Sequence, residues 1–282
     1  MKATTMRATL ISAVLVVLLL FVAVGDVKAA TPYTTITMDF GWAIADSLFP
    51  RYIYATVLGH RTAIANGTHN DISELTATVI PYPNVSAATG SLKVVSSSAN
   101  DKTASTGALD VEIYGLDANW NEQSEHITMN GTDTVAVVGE YRRINNMYVY
   151  DVGTAGVAVG NIVLTNGAGD TTYSKILATN DRAYQAHYTI PSGQKGFVTG
   201  WSTGTEGTKA ALFRLSAKVD VGDRSRLSLF HTEAIMISRN SSYYHEFRIP
   251  LELPDRCDVK VTGEGLGGAV EGTAAIYLFH KK

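Results

Sequence analysis

Leu109, Val111 and Ile113 alternate with Asp110, Glu112 and Tyr114, the period-two pattern of a strand with one buried face. Residues 115–121 mix Gly, Asp and Asn around Trp120 and suit a reversing loop, and a second alternating run follows at 125–129. Residues 107–131 are therefore expected to form a β-hairpin or a short Greek-key corner. The same rhythm predicts strands at 74–80, 91–96, 134–138, 143–150 and 161–165. After the loop 166–170 it predicts others at 173–178, 183–190, 196–202, 210–219, 226–232, 244–251, 258–262 and 273–280. Nearly every gap carries Gly, Pro, Asn or Asp, and Pro191, Ser192 and Gly193 read as a tight hairpin turn.

Regular short strands without helical stretches predict an all-β chain. The expected architecture is two jelly-roll-like antiparallel β-sandwiches, residues 71–168 and 169–282, with one interlocked sandwich as the alternative. Residues 30–70 are expected to be an arm or linker, because the partly helical spacing of 43–58 is interrupted by Pro50. Lys2 and Arg7 precede an apolar run at residues 10–24, and small residues at 27–29 offer a cleavage site. Residues 1–29 thus read as a secretory signal peptide, with an uncleaved membrane anchor or a misassigned start as alternatives, since a span needs about 20 apolar residues.

Composition changes the picture in three ways. At 282 residues the chain can bury a sizeable core, and 45% hydrophobic against 17% charged residues, with 25 Gly, fits short strands and tight turns. A net charge of -3 without a basic stripe argues against gripping nucleic acid, which needs clustered Lys and Arg. Cys257 is the one cysteine, so no intramolecular disulfide exists, and its plain reading is a small buried hydrophobe.

Candidate chemistry is present but poorly placed. Gly200, Ser202 and Gly204 match G-x-S-x-G, with Asp255 and His280 following in hydrolase order. That elbow needs a strand, a sharp turn and a helix on a parallel sheet, whereas Ala211, Phe213, Leu215 and Ala217 alternate like a strand. Residues 263–268 satisfy G-x-G-x-x-G, but only one further strand follows, so a loop is expected rather than a dinucleotide site. Asp117, Asn119 and Asn121 copy the first ligand positions of a calcium loop, yet Glu122 replaces the required Gly and Thr128 the closing Glu. A looser calcium site stays open beside the simpler reading that these residues bond their own turn.

Histidines 60, 69, 126, 187, 231, 245 and 280 show no metal-ligand spacing. Glu122 and Glu125 are not expected to face each other across a sugar. Tyr148, Tyr150, Tyr243 and Tyr244, with Trp120 and Trp201, suit either interfaces or sugar stacking. Asn66, Asn84, Asn130 and Asn240 open N-x-[ST] sequons. No catalytic, cofactor-binding or metal-binding set is expected, and no cofactor.

The segments at 92–101, 106–108, 111–117, 125–131, 143–145 and 188–193 occur in an order that resembles virion structural proteins of tailed phages, marine ones especially, over residues 85–200. The resemblance implies a non-enzymatic particle component in the capsid, its decoration or a fibre. It would form homo-oligomers, contact other virion proteins, and touch a membrane through residues 10–24 if those anchor it. The export-like amino terminus departs from that pattern. The alternative is an exported carbohydrate-binding or adhesin-type protein, secreted or anchored at the cell surface.

Overall fold

The structure is a computed structural model that describes residues 51–83, 92–219 and 229–281. The expected signal or anchor segment 1–29 and the first part of the arm lie outside the described residues. Among the described residues there is no helix, and every strand pairing is antiparallel. The all-β expectation holds.

Two bodies of sheet are present. The first is a β-sandwich. One layer has the order β6-β3-β8-β9, from β3 (Leu92–Ser96), β6 (Val135–Ala136), β8 (Ile162–Asn166) and β9 (Thr172–Ile176). The other has the order β5-β4-β7, from β4 (Ala108–Leu116), β5 (Glu122–Thr128) and β7 (Arg143–Val152). Val94, Ile162 and Leu164 of the first layer share one core with Val111, Ile113, Ile127 and Met147 of the second. The expected 107–131 hairpin is β4–β5, closed by Asp117, whose backbone N–H donates to Asn121 O at 2.9 Å. Leu109 is only partly buried because register irregularities against β7 interrupt the alternation there.

The second body is a seven-stranded sheet around β11 (Lys195–Val219). β12 (His231–Leu253) pairs along one edge of β11. Along the other edge run β14 (Val270–Lys281), beside the first half of β11, and β13 (Cys257–Leu266), beside the second. β1 (Tyr52–Ile64) extends the sheet beyond β14, while β2 (Asn70–Asp71) and β10 (His187–Thr189) extend it beyond β13. Trp201, Phe213, Val259, Ile276 and Leu278 form its apolar core.

Several expectations change. Residues 196–202 and 210–219 are one strand, since the polar stretch Glu206–Lys209 is a register irregularity in β11 rather than its end. Residues 52–64 of the expected arm form β1, whose β-branched and aromatic side chains suit a strand. The loop 166–170, expected between two sandwiches, turns the β8–β9 hairpin within one sheet. Pro191–Gly193 is a turn, with Gly193 at φ 70, but β10 pairs with β13 and not with β11, so it closes no hairpin.

Residues 74–80 alternate like a strand yet form a series of bends. Their backbone is satisfied locally instead: the Arg61 guanidinium donates to the carbonyls of Leu75 at 3.2 Å and Ala77 at 3.0 Å, and Ile80 N–H donates to the Asp71 carboxylate at 2.8 Å.

Buried polar groups join the sandwich to the large sheet. Arg143, opening β7, donates to both oxygens of Asp258 on β13 at 2.9 and 3.0 Å, and Thr189 Oγ1 donates to the same carboxylate at 2.6 Å. Asn145 exchanges two bonds with the Thr189 backbone, at 3.0 and 2.9 Å. His187 Nε2 meets Ile144 O at 2.6 Å. Bidentate geometry and full hydrogen bonding are what make a buried ion pair tolerable.

Candidate functional site

Ser202 lies mid-strand in β11, opposite Ala275 of β14 on one side and Tyr244 of β12 on the other. Both pairings are antiparallel, and β11 continues past Ser202 as strand, so no nucleophile elbow is formed. His280 faces Gly196, five positions along β14 from Ala275, or about 17 Å at strand rise. Its imidazole is fully buried and bonded to Tyr188 Oη at 3.0 Å and to Gln194 Oε1. Asp255 meets Gly193 N–H at 3.4 Å and Arg256 Nε at 3.1 Å. The three residues read as a hydrolase set are not brought together.

Ser202 instead lines a cleft of about 580 Å³ with Leu58, His60, Glu74, Asn180, Tyr184 and Tyr277 among its walls. Its lining combines residues of β1, β11 and β14 of the large sheet with residues 177–180 and Tyr184. Gly59, also in its wall, lets β1 pack closely against its neighbours: a Cβ there would lie 2.4 Å from Ile72 O and 2.6 Å from the Ala186 Cβ.

His60 sits between two carboxylates. Its Nδ1 is 3.3 Å from Glu74 Oε1 and its Nε2 is 2.8 Å from Glu271 Oε1. Asn180 Nδ2 donates to the same Glu74 oxygen at 3.1 Å. The Glu74 side chain is 2% exposed, and burial pushes its carboxyl above the usual range, against the hydrogen bond and charge of His60. Ser202 Oγ is 3.4 Å from Tyr277 Oη. The paired hydroxyls of Ser202 and Tyr277 can hold a polar ligand or water in the cleft. Sequence reading missed the cleft because Glu74, His60 and Glu271 come from a loop and two strands far apart in the chain.

A second cleft, about 460 Å³, lies between β1 and the β5-β4-β7 layer and is lined by Tyr114, Glu122, Gln123, Asn146 and Tyr148 among others. Tyr114 stacks on Tyr148 at 5.5 Å between ring centroids. Tyr148 Oη donates to Glu112 at 2.5 Å. Burial raises the Glu112 carboxyl, but bonds from Tyr148, Tyr114 and Ser124 outweigh it and hold the group below the ordinary carboxylate range.

The remaining candidates are bonded to neighbouring turns and strands. Asp117 Oδ1 accepts from the backbone N–H groups of Asn119 at 2.7 Å and Asn121 at 2.8 Å, the Asx-type bonding of its own turn. Glu125 accepts from Val138 and Gly139 N–H at 2.8 and 2.7 Å, while Glu122 bonds Gln194 Nε2 at 3.2 Å, so the two carboxylates are committed to different neighbours. Gly267 and Gly268 donate to Asn66 Oδ1 at 2.9 and 3.0 Å where β13 passes into β14. Burial pushes the Cys257 thiol up to about 12, leaving it a core side chain.

Trp201 is fully buried, and Trp120 is buried under Arg142 and Arg143, whose guanidinium carbons lie 4.9 and 4.7 Å from its ring. Neither is the exposed stacking platform that the sugar-binding alternative required. Among the described residues no group of His, Cys, Asp and Glu is arranged to hold a metal ion.

No protein-family model and no curated protein matches the chain. Among solved structures it aligns with the infectious bursal disease virus Gx strain at TM-score 0.21 and 9% identity, over 82% of this chain and 75% of that one. The Gt strain of the same virus aligns at TM-score 0.20 and 11% identity, over 82% and 72%. The VP2 subviral particle of that virus aligns at TM-score 0.17 and 10% identity, over 82% and 76%. Likeness at this level fixes neither topology nor role.

Proposed function

We propose that this chain is a structural component of a virus particle, in the capsid, its decoration or a fibre, that assembles through sheet surfaces and performs no catalysis. The observation that carries the reading is β12. It is 23 residues long and pairs only with β11, leaving its other edge without a strand among the described residues. Along it Ile235, Ile237, Tyr243, Tyr244 and Ile249 are exposed, Ile249 by 85%. A long strand edge with unpaired backbone and apolar side chains promotes association, and proteins that must stay apart blunt it. The virion part rests on the resemblance over residues 85–200. Mass spectrometry of particles purified from producing cells tests it: the chain is expected at stoichiometric, multi-copy abundance. Its absence from every particle fraction would contradict the reading, as would labelling of Ser202 by a fluorophosphonate in the folded protein.

A second reading, glycan binding, has one specific support. Tyr114 is 41% exposed above Tyr148 in the second cleft, beside amide and carboxylate groups suited to sugar hydroxyls. Glycan-array binding abolished by Tyr114→Ala would favour it, and an array without signal would remove it.

A further inference from the structure

Resting on the assembly reading, we propose that the β12 edge over residues 233–239 pairs antiparallel with the same edge of a second copy, about a twofold axis at Met236. Within one chain, residues 234–239 run regularly against Leu215 to Ala210 of β11, between a one-residue bulge at Glu233 and the left-handed Asn240 at φ 45, which leaves the opposite edge of that stretch free to accept a strand among the described residues. Antiparallel pairing about Met236 sets Ile235 opposite Ile237 of the other copy, and Ile237 opposite Ile235. These side chains are 61% and 57% exposed in the single chain. The next outward positions place Glu233 opposite Arg239, again twice.

Both residues are exposed, and neither has an ion-pair partner among the described residues. Arg239 Nε donates only to Thr208 O, at 3.1 Å. The segment is therefore self-complementary: an apolar centre flanked by two opposite-charge pairs, the cross-strand combinations that stabilise an antiparallel ladder. The same pattern selects the occupant, because a twofold contact requires each residue to meet its complement on an identical strand.

The farther half of β12 is unsuited to such pairing. There four residues, 247–250, oppose a single position of β11, and Pro250 lacks an N–H, two devices that blunt an edge. About seven paired residues form less than a standard interface, so the contact is weak for an isolated pair and gains from repetition in an assembly.

Charge reversal tests this on the full chain, kept in detergent so that residues 10–24 do not themselves drive association. Glu233→Arg and Arg239→Glu each place like charges opposite one another twice, and each is expected to weaken self-association about tenfold. The double variant E233R/R239E restores both pairs and is expected to associate as the original protein does. Because all the changed side chains are exposed, thermal melts should coincide and exclude misfolding. As a second measurement, Ile235→Cys protein mixed with Ile237→Cys protein should form a disulfide-linked dimer, with Cys257 too buried to interfere, while either variant alone should not.

Self-association unmoved by any charge variant, or weakened by the single changes without rescue in the double, overturns the twofold edge and leaves the assembly reading standing. An original protein that stays monomeric throughout overturns both.

Discussion

Asp101 shows how much a single side chain organises in the sandwich. Fully buried, it accepts from Ser96 Oγ at 2.5 Å and from the N–H groups of Ala108, Val159 and Gly160 at 2.8, 2.9 and 2.8 Å. Asp101→Ala strands two buried backbone donors, Ala108 and Gly160, and the part-buried one of Val159, and a loss of about 3–5 kcal/mol in urea unfolding is expected. Arg143 and Asp258 hold the two bodies of sheet together in the same fashion. Removing either partner is expected to cost about 3–5 kcal/mol, and the double variant less than the sum, as a double-mutant cycle would register. Neither role was legible in the sequence, because the donors to Asp101 come from segments before and after it and Arg143 meets Asp258 only through the fold. Two buried groups set opposite pH dependences. Burial depresses the His187 imidazole, so its contribution is complete above the usual histidine range and is lost as pH falls toward the depressed value. Burial raises Glu74, so its contribution is complete below the usual glutamate range and is lost as pH rises through the raised value. Urea midpoints measured from acid to neutral pH should show His187→Gln flattening the acid loss, and Glu74→Gln gaining on the original protein as pH rises.

At the scale of elements, period-two alternation carried most of the fold. β3, β4, β5, β7, β8, β9, β13 and β14 fall where apolar and polar side chains alternate between turn residues. What alternation did not reveal was continuity. Glu206, Gly207, Thr208 and Lys209 look like a loop, yet β11 passes through them, with Gly207 at φ 91, while β12 carries Asn240 at φ 45 nearby and β13 meets β14 at Gly267 and Gly268. Two long strands change course at the level where β13 turns into β14, and only the partners of each strand make that visible. Alternation also misled at 74–80, where side-chain bonds from Arg61 and Asp71 replace a strand partner. β1 has its own critical position in Gly59, where any Cβ collides with backbone at Ile72 and with Ala186. Gly59→Ala is expected to destabilise by about 1–3 kcal/mol in the same unfolding assay, as overpacking of a tight contact does.

For the whole molecule, the polar groups that sequence reading offered for chemistry are largely spent on holding sheets and turns. Asp117 and Asn121 close a loop, His280 is clamped between Tyr188 and Gln194, and Glu125 ties β5 to residues 138 and 139. Among the described residues the fold leaves open the two clefts described above and the long edge of β12. A long sheet edge that is unpaired among the described residues and carries apolar side chains is suited to joining copies into a larger body. Sedimentation velocity of the full chain in detergent, over roughly three decades of concentration, tests that claim most directly, since association shifts with mass action. The account predicts a boundary that moves from monomer to larger species as concentration rises. A single monomeric boundary at every concentration would contradict it.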